Sequence, residues 1–292
     1  HVGGRREAME GEAVADPVAR AAAQAKALQE VTLLYFRILK EPRARGLLPA
    51  ALENLAAVAH LINLDTVEDL VALLQEMVYD PALALPPRAT LQAVATALRT
   101  LQGPGKELQV DEKAFVIRLY QLMPSLATSS SHEIQTLLRC IDIAFLKKTE
   151  LSSIRVAGFM KRLASLCLLV KQPTDTFNIL RCIRRLLEKY KQTQQMLETG
   201  EDKCASGAYR GDLDDPEHAN PYAAALWELA ALRRHPHPGV AAEAAAAAQA
   251  KEIGFGETKT ILSPTETMKI EFEKLKKPWY TGKQLSNNKK SN

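Results

Sequence analysis

Six histidines and four cysteines are the first side chains to question, and their spacing suits neither a metal nor a nucleophile. His235 and His237 bracket Pro236 in a His-Pro-His-Pro run. Two imidazoles at that spacing share a metal only with further ligands, and none stands nearby in the sequence. The plainer expectation is a rigid inter-helix turn, with Pro238 starting the next helix. Cys140, Cys167, Cys182 and Cys204 form no Cys-x-x-Cys pair. The first three sit in apolar helical stretches, where a free thiol behaves as a small hydrophobe. A reducing compartment without a disulfide framework is expected. Asp212, Asp214, Asp215 and Glu217 crowd together, but paired carboxylates do acid–base work only inside a shaped pocket. In a polar stretch ahead of a helix they more often cap it or complement its positive end. The Arg210-Gly211-Asp212 tripeptide is read as a coincidental match to an adhesion motif. No phosphate-cradling glycine loop and no HExxH pair occurs in the sequence. The expectation is a non-enzyme with no cofactor, no metal and no small-molecule substrate.

Charge offers a different chemistry. The net charge is +4, yet Lys and Arg gather between Arg139 and Lys191, where acids are few. Arg181, Arg184, Arg185 and Lys189 fall away from the apolar stripe of Phe177, Leu180, Ile183 and Leu187. One turn apart, they are expected to project outward together as candidate contacts to nucleic-acid phosphates. A solvated face, or a match to an acidic protein, is the competing reading.

Helices must position all of these groups. Leu and Ala dominate and aromatics are only 5%, a mixture that favours helix over strand. Apolar residues recur at three- and four-residue spacing from Leu28 to Tyr190, broken by Pro42, Asp80-Pro81, Gly103-Pro104, Pro124 and Pro173. The first stripe is Leu28, Val31, Tyr35 and Ile38, widened by Leu34 and Leu39. Asp65 with Glu68 suggests a capping box for the third helix, and Ser131 a cap for the sixth. Two further helices are expected, Tyr222 to Arg234 and Gly239 to Ala250. The first carries Trp227. The second is so rich in Ala that Trp227 is expected to lie against it, buried. No apolar run reaches the roughly 20 residues of a membrane helix, and no signal peptide is expected.

The expected organisation is a disordered segment over 1–24, a helical repeat domain over 25–191, and a polar irregular linker over 192–220. A helical hairpin over 221–251 and a Lys/Asn/Ser-rich tail over 252–292 follow. Short helices, each with one wide stripe, give an all-α fold: a HEAT-like or armadillo-like α-solenoid of stacked helix pairs. A compact bundle is the alternative, and no sequence period is evident.

The run Tyr209-Arg-Gly-Asp-Leu-Asp-Asp-Pro-Glu-His-Ala-Asn220, followed by Ala225-Leu-Trp-Glu-Leu-Ala-Ala-Leu-Arg-Arg-His-Pro-His-Pro238, resembles the C-terminal signature of the nucleolar complex protein 3 family. That family shares its last domain with the CCAAT-binding-factor-like nucleolar proteins. Tyr35 to Lys40, Ala50 to Ala56, Ala59 to Asp65 and Leu137 to Asp142 resemble it too. One departure is Pro236, where the family usually has an aromatic. The residues that carry the signature are Asp214, Asp215, Pro216, Glu217, Trp227, His235, His237 and Pro238. The resemblance implies a factor of the nucleus and nucleolus that assists assembly of the large ribosomal subunit. It implies binding to a nucleolar complex protein 2-like partner and to precursor particles, with ribosomal RNA or chromatin as further contacts. A helical adaptor on chromatin, acting in initiation of DNA replication, is the alternative.

Overall fold

A computed structural model describes residues 17–41, 46–79, 85–102, 105, 111–147, 151–198 and 206–250. Within them the regular elements are ten α-helices with short helical turns between, and no strand. They are α1 (Pro17–Lys40), α2 (Leu48–Val58), α3 (Leu64–Tyr79), α4 (Pro87–Gln102) and α5 (Lys113–Leu122). Then come α6 (Ser131–Ile141), α7 (Ser153–Cys167), α8 (Pro173–Lys189), α9 (Trp227–Leu232) and α10 (Pro238–Ala248).

Local chemistry sets several helix ends. Prolines occupy the first turns of α2, α8 and α10, where their missing N–H costs nothing. Ser130 and Glu133 form a complete capping box at the start of α6, so the cap lies one residue earlier than Ser131. At α3 the side chain that meets the free amides is Asn63, whose Oδ1 accepts from Thr66 N at 3.2 Å, rather than Asp65. After α6 the helix widens into a single π-turn, Asp142–Leu146.

The helices stack in two layers, with α2, α4, α6, α8 and α10 in sequence along one and α3, α5, α7 and α9 packed on the other. Side-chain bonds show the register within the first layer. Thr96 Oγ1 on α4 donates to the Leu52 carbonyl on α2, 44 residues earlier. Gln102 reaches Ile143 at a separation of 41, Ser131 reaches Asp175 at 44, and Arg185 reaches Asp142 at 43. These near-constant offsets mean parallel neighbours and a structural repeat of about 41–44 residues, the geometry of an α-solenoid. Between α8 and α10 the offset rises to 59, at Arg184–Glu243. The extra length is the irregular segment 206–226, which leaves the layer to dock on α7.

One continuous apolar core runs from Leu39 to Ala250, with Tyr120, Phe115, Phe145 and Phe159 its largest fully buried side chains. The ring of Phe159 lies 5.1 Å from that of Tyr120 and 4.7 Å from that of Phe145, both tilted.

Three expectations change here. The segment 1–24 is helical from Pro17 onward, and residues 1–16 lie outside the described residues. Val31 and Leu34 face solvent, while Thr32 and Leu39 are buried, because α1 packs on α2 along one side only. The last helix pair begins at Trp227, after a 3-10 turn at Pro221–Ala223, rather than at Tyr222. The tail 252–292, Cys204 and the chain breakers at 80–81 and 103–104 lie outside the described residues.

Candidate interaction surfaces

The segment 206–220, expected to be part of a linker, is a strap laid over α7 and α5. Its ends are tied by Arg210 N to the Ala219 carbonyl at 2.8 Å and by Asn220 Nδ2 to the Ser206 carbonyl at 3.0 Å. Asn220 adopts the left-handed region at φ 48°, one of the few places a non-glycine side chain tolerates it. Arg162 of α7 holds the middle. Its guanidinium donates to the carbonyls of Gly211 and Leu213, both at 2.9 Å, and also to Tyr120 O, while lying 3.5 Å above the Tyr120 ring. Burial, with the Tyr209 hydroxyl 3.4 Å away, raises the Tyr120 phenol well above its ordinary value.

The signature residues divide within this strap. Pro216 is buried against Gly158, where an added Cβ would lie 2.8 Å from Pro216 Cβ and 3.0 Å from its carbonyl oxygen. Glu217 meets Arg155 at 3.0 Å and Lys113 at 3.9 Å. Asp215 folds a turn by accepting from Glu217 N at 2.9 Å, and Asp214 is exposed. None of these acids is arranged as a catalytic pair. Asp215 turns the chain and Glu217 clamps it to α7 and α5.

Beyond the strap the chain enters a buried ion pair that sequence reading missed. Lys161 Nζ lies 2.7 and 2.9 Å from the two carboxylate oxygens of Glu228 and 2.8 Å from the Ala225 carbonyl. Ser165 Oγ adds a bond to Glu228 at 3.1 Å, so the carboxylate accepts three bonds from two donors. Trp227 is not core: it is 56% exposed, with Lys161 Nζ 5.5 Å from its ring centroid. Leu226, Leu229 and Leu232 fill the buried side of α9, and Trp227 stands about 160° around the helix from Leu229. The small residues of α10 serve a different neighbour. Val240, Ala244 and Ala247 are buried, at one- and two-turn spacing, and α10 packs closely on α8. His235 Nδ1 accepts from His237 N at 3.0 Å, and His237 Nδ1 accepts from Gly239 N at 3.2 Å. These imidazoles and Pro238 build the turn and cap α10.

The four candidate phosphate contacts on α8 do not project together. Arg184 pairs with Glu243 of α10 at 2.6 Å and with Glu188 at 3.2 Å. Arg185 meets Asp142 at 3.3 Å, and Lys189 donates to the Phe145 and Leu146 carbonyls freed by the π-turn, both at 2.8 Å. Arg181 is half-exposed and itself engaged within the protein. Packing of α6 and α10 against α8 brings acids and carbonyls to both flanks of α8, which its own sequence does not reveal.

The described cysteines are free and buried, and burial pushes the Cys140 and Cys182 thiols up to about 12. Burial, with Cys182 and Glu228 nearby, raises Cys167 as well. Thiols held protonated in this way are not nucleophiles. Among the described residues no group of three or more His, Cys, Asp or Glu could hold a metal ion, and no helix is long and apolar enough to cross a membrane.

Residues 90–244, from α4 through most of α10, match the model of the CBF/Mak21 family. The chain is 36% identical over 261 residues to the human protein named "Nucleolar complex protein 3 homolog", covering 88% of this chain and 32% of that protein. Against "Nucleolar complex protein 3" of Drosophila melanogaster it is 35% identical over 217 residues, 73% of this chain and 26% of the relative. Against "Nucleolar complex-associated protein 3" of Saccharomyces cerevisiae it is 25% identical over 248 residues, 74% of this chain and 37% of the relative. The chain thus spans about a third of the length of the curated relatives it matches.

Proposed function

The chain belongs to the CBF/Mak21 family, in its nucleolar complex protein 3 branch, and on that premise we propose that it is a non-enzymatic scaffold of the nucleolus. It works in assembly of the large ribosomal subunit, holding a nucleolar complex protein 2-like partner and accompanying precursor particles. The observation that carries this reading is the match, over most of this chain, to animal and yeast relatives whose names place them in a nucleolar complex. Two structural features support it. A solenoid layer offers the extended surface that repeat proteins use to bind large partners. The described side chains that the sequence offered for chemistry are engaged otherwise: the described thiols are buried, the strap acids clamp and turn, and the paired histidines shape a turn.

The test is sedimentation of the epitope-tagged chain from nuclear extract through a density gradient, probed for precursor large-subunit RNA and for the partner. Co-migration with the precursor is expected. A chain that stays with chromatin and is absent from the precursor fractions overturns the reading in favour of an adaptor in replication initiation.

A further inference from the structure

The register of the layer places a row of cations on its solvent side. Gln102, the last residue of α4, donates to the Ile143 carbonyl at 2.8 Å, and Asp142 meets Arg185 of α8 at 3.3 Å. Arg99 stands three residues before Gln102, and Arg139 three before Asp142, each in the last turn of its helix. They therefore sit at nearly the same level on adjacent parallel helices, whose axes lie about 8–10 Å apart. Both are exposed, as is Lys147 just beyond the π-turn. Arg185 flanks the row on α8 but is held by its salt bridge to Asp142. The carboxylates described along this row, Asp142 and Glu188, already face Arg185 and Arg184, so the exposed row is positive. Helix C-termini hold such cations in place through the negative end of the helix dipole.

What stands between the arginines decides the class of partner. The neighbouring outward positions are Ala95, Gln135 and Asn178. The large exposed apolar side chains lie elsewhere, on α1, around Leu61 and Leu64, at Tyr79, and near Ile154, Leu168, Leu169 and Trp227. A protein interface needs apolar or aromatic anchors at its centre. A phosphate backbone needs spaced guanidinium forks and no anchor.

We infer that the row Arg99–Arg139–Lys147, on the solvent side of α4, α6 and the π-turn, binds the sugar-phosphate backbone of RNA without reading its bases. The choice of RNA over DNA rests on the assembly role proposed above. The guanidinium groups displace counterions from successive phosphates, and the layer's repeat sets the spacing between contacts.

The purified full chain is titrated with fluorescently labelled oligouridine over a range of salt concentrations. Binding that weakens with salt is expected. R99E/R139E should weaken it on the order of tenfold or more and make the salt slope shallower by about 0.7 for each phosphate no longer neutralised. R99K/R139K, which keeps the charge, should retain most of the slope. R233E/R234E, the same reversal on exposed cations after α9, should change little, and all three variants should melt as the parent does. An unaltered slope in R99E/R139E overturns the inference. So does an equal loss in R233E/R234E, or an oligoglutamate peptide that binds as tightly with the same sensitivity to R99E/R139E. The two readings fail separately. If oligouridine does not bind while the chain still co-sediments with precursor particles, the RNA row is wrong and the scaffold role stands. If oligouridine binds as expected while the chain never enters those particles, the row stands as a phosphate-backbone site and the scaffold role is wrong.

Discussion

α7 meets α8 on one side and the strap with its following turn on the other, and the two contacts use different chemistry. Toward the core, Phe159, Leu163 and Leu166 of α7 are buried with Ile179, Leu180 and Ile183 of α8. Such packing tolerates modest repacking as long as volume is kept. Toward the strap, α7 offers Arg155, Gly158, Lys161, Arg162 and Ser165, three or four residues apart along one face. Each meets a specific partner: Glu217, Pro216, Glu228, two strap carbonyls, and Glu228 again. Apolar contacts supply most of the driving force, whereas the polar face fixes where a segment without regular structure must sit. The polar contact is also the more brittle, because a buried charge without its partner is costly.

The largest effect that would expose this brittleness is Lys161→Met. It leaves Glu228 buried without its cation, and a loss of about 3–5 kcal/mol is expected from chemical denaturation. K161M/E228L should recover much of that loss, since neither charge remains. A double variant as unstable as K161M would mean that the pair itself adds net stability. Gly158→Ala comes next. Its methyl would collide with the Pro216 backbone and side chain, so about 1–3 kcal/mol should be lost, with faster proteolytic cleavage within 206–220. An apolar change of the same size on the α8 side, Ile183→Val, should cost about 0.5–1.5 kcal/mol and leave the strap protected.

Trp227→Ala sharpens the comparison from outside. An exposed ring near Lys161 contributes about 0.5–1 kcal/mol at most, so the melting temperature should shift by only about 1–4 °C. A larger shift would return Trp227 to the core. The smallest effect concerns Asp175, at the start of α8. Burial raises its carboxyl above the ordinary value, and the hydrogen bond from Ser131 opposes this. The folded state therefore favours the protonated form. Its contribution is fully present below the unfolded value of about 3.9 and is lost as pH rises through the higher folded value. Asp175→Asn, which keeps an acceptor for Ser131, should slightly raise stability at neutral pH and flatten the stability profile just above pH ~4. A profile unchanged in the variant would show that Asp175 does not titrate there.

Helix spacing made the fold class legible, because each stripe needs only its own helix to be read. The repeat of about 41–44 residues was not legible, since equivalent positions hold different residues and only cross-helix bonds reveal the offset. The signature around Pro216 was visible as a pattern, but its docking surface depends on Gly158 and Arg162, some fifty residues earlier. A signal for the buried pair did exist. Lys161 falls directly after the apolar run Val156 to Met160 and two residues before Leu163, on a helix with few polar positions, where a charge must find a partner. Trp227 misled because ring size outweighed phase: Leu226, Leu229 and Leu232 already marked the buried side of α9. The α8 cations misled in the opposite way, since a helix read alone shows its polar face as free.

Native-state hydrogen exchange tests most directly whether the strap belongs to the cooperative fold. The amides of Arg210, bonded to Ala219 O at 2.8 Å, and Leu226, bonded to Met196 O at 2.7 Å, report on the strap and on the segment that leads from it into α9. Protection approaching that of the α7 amides, and lost from the strap first in Lys161→Met, is the predicted result. Exchange of both amides at the rate of an unstructured chain, with α7 still protected, would contradict the account.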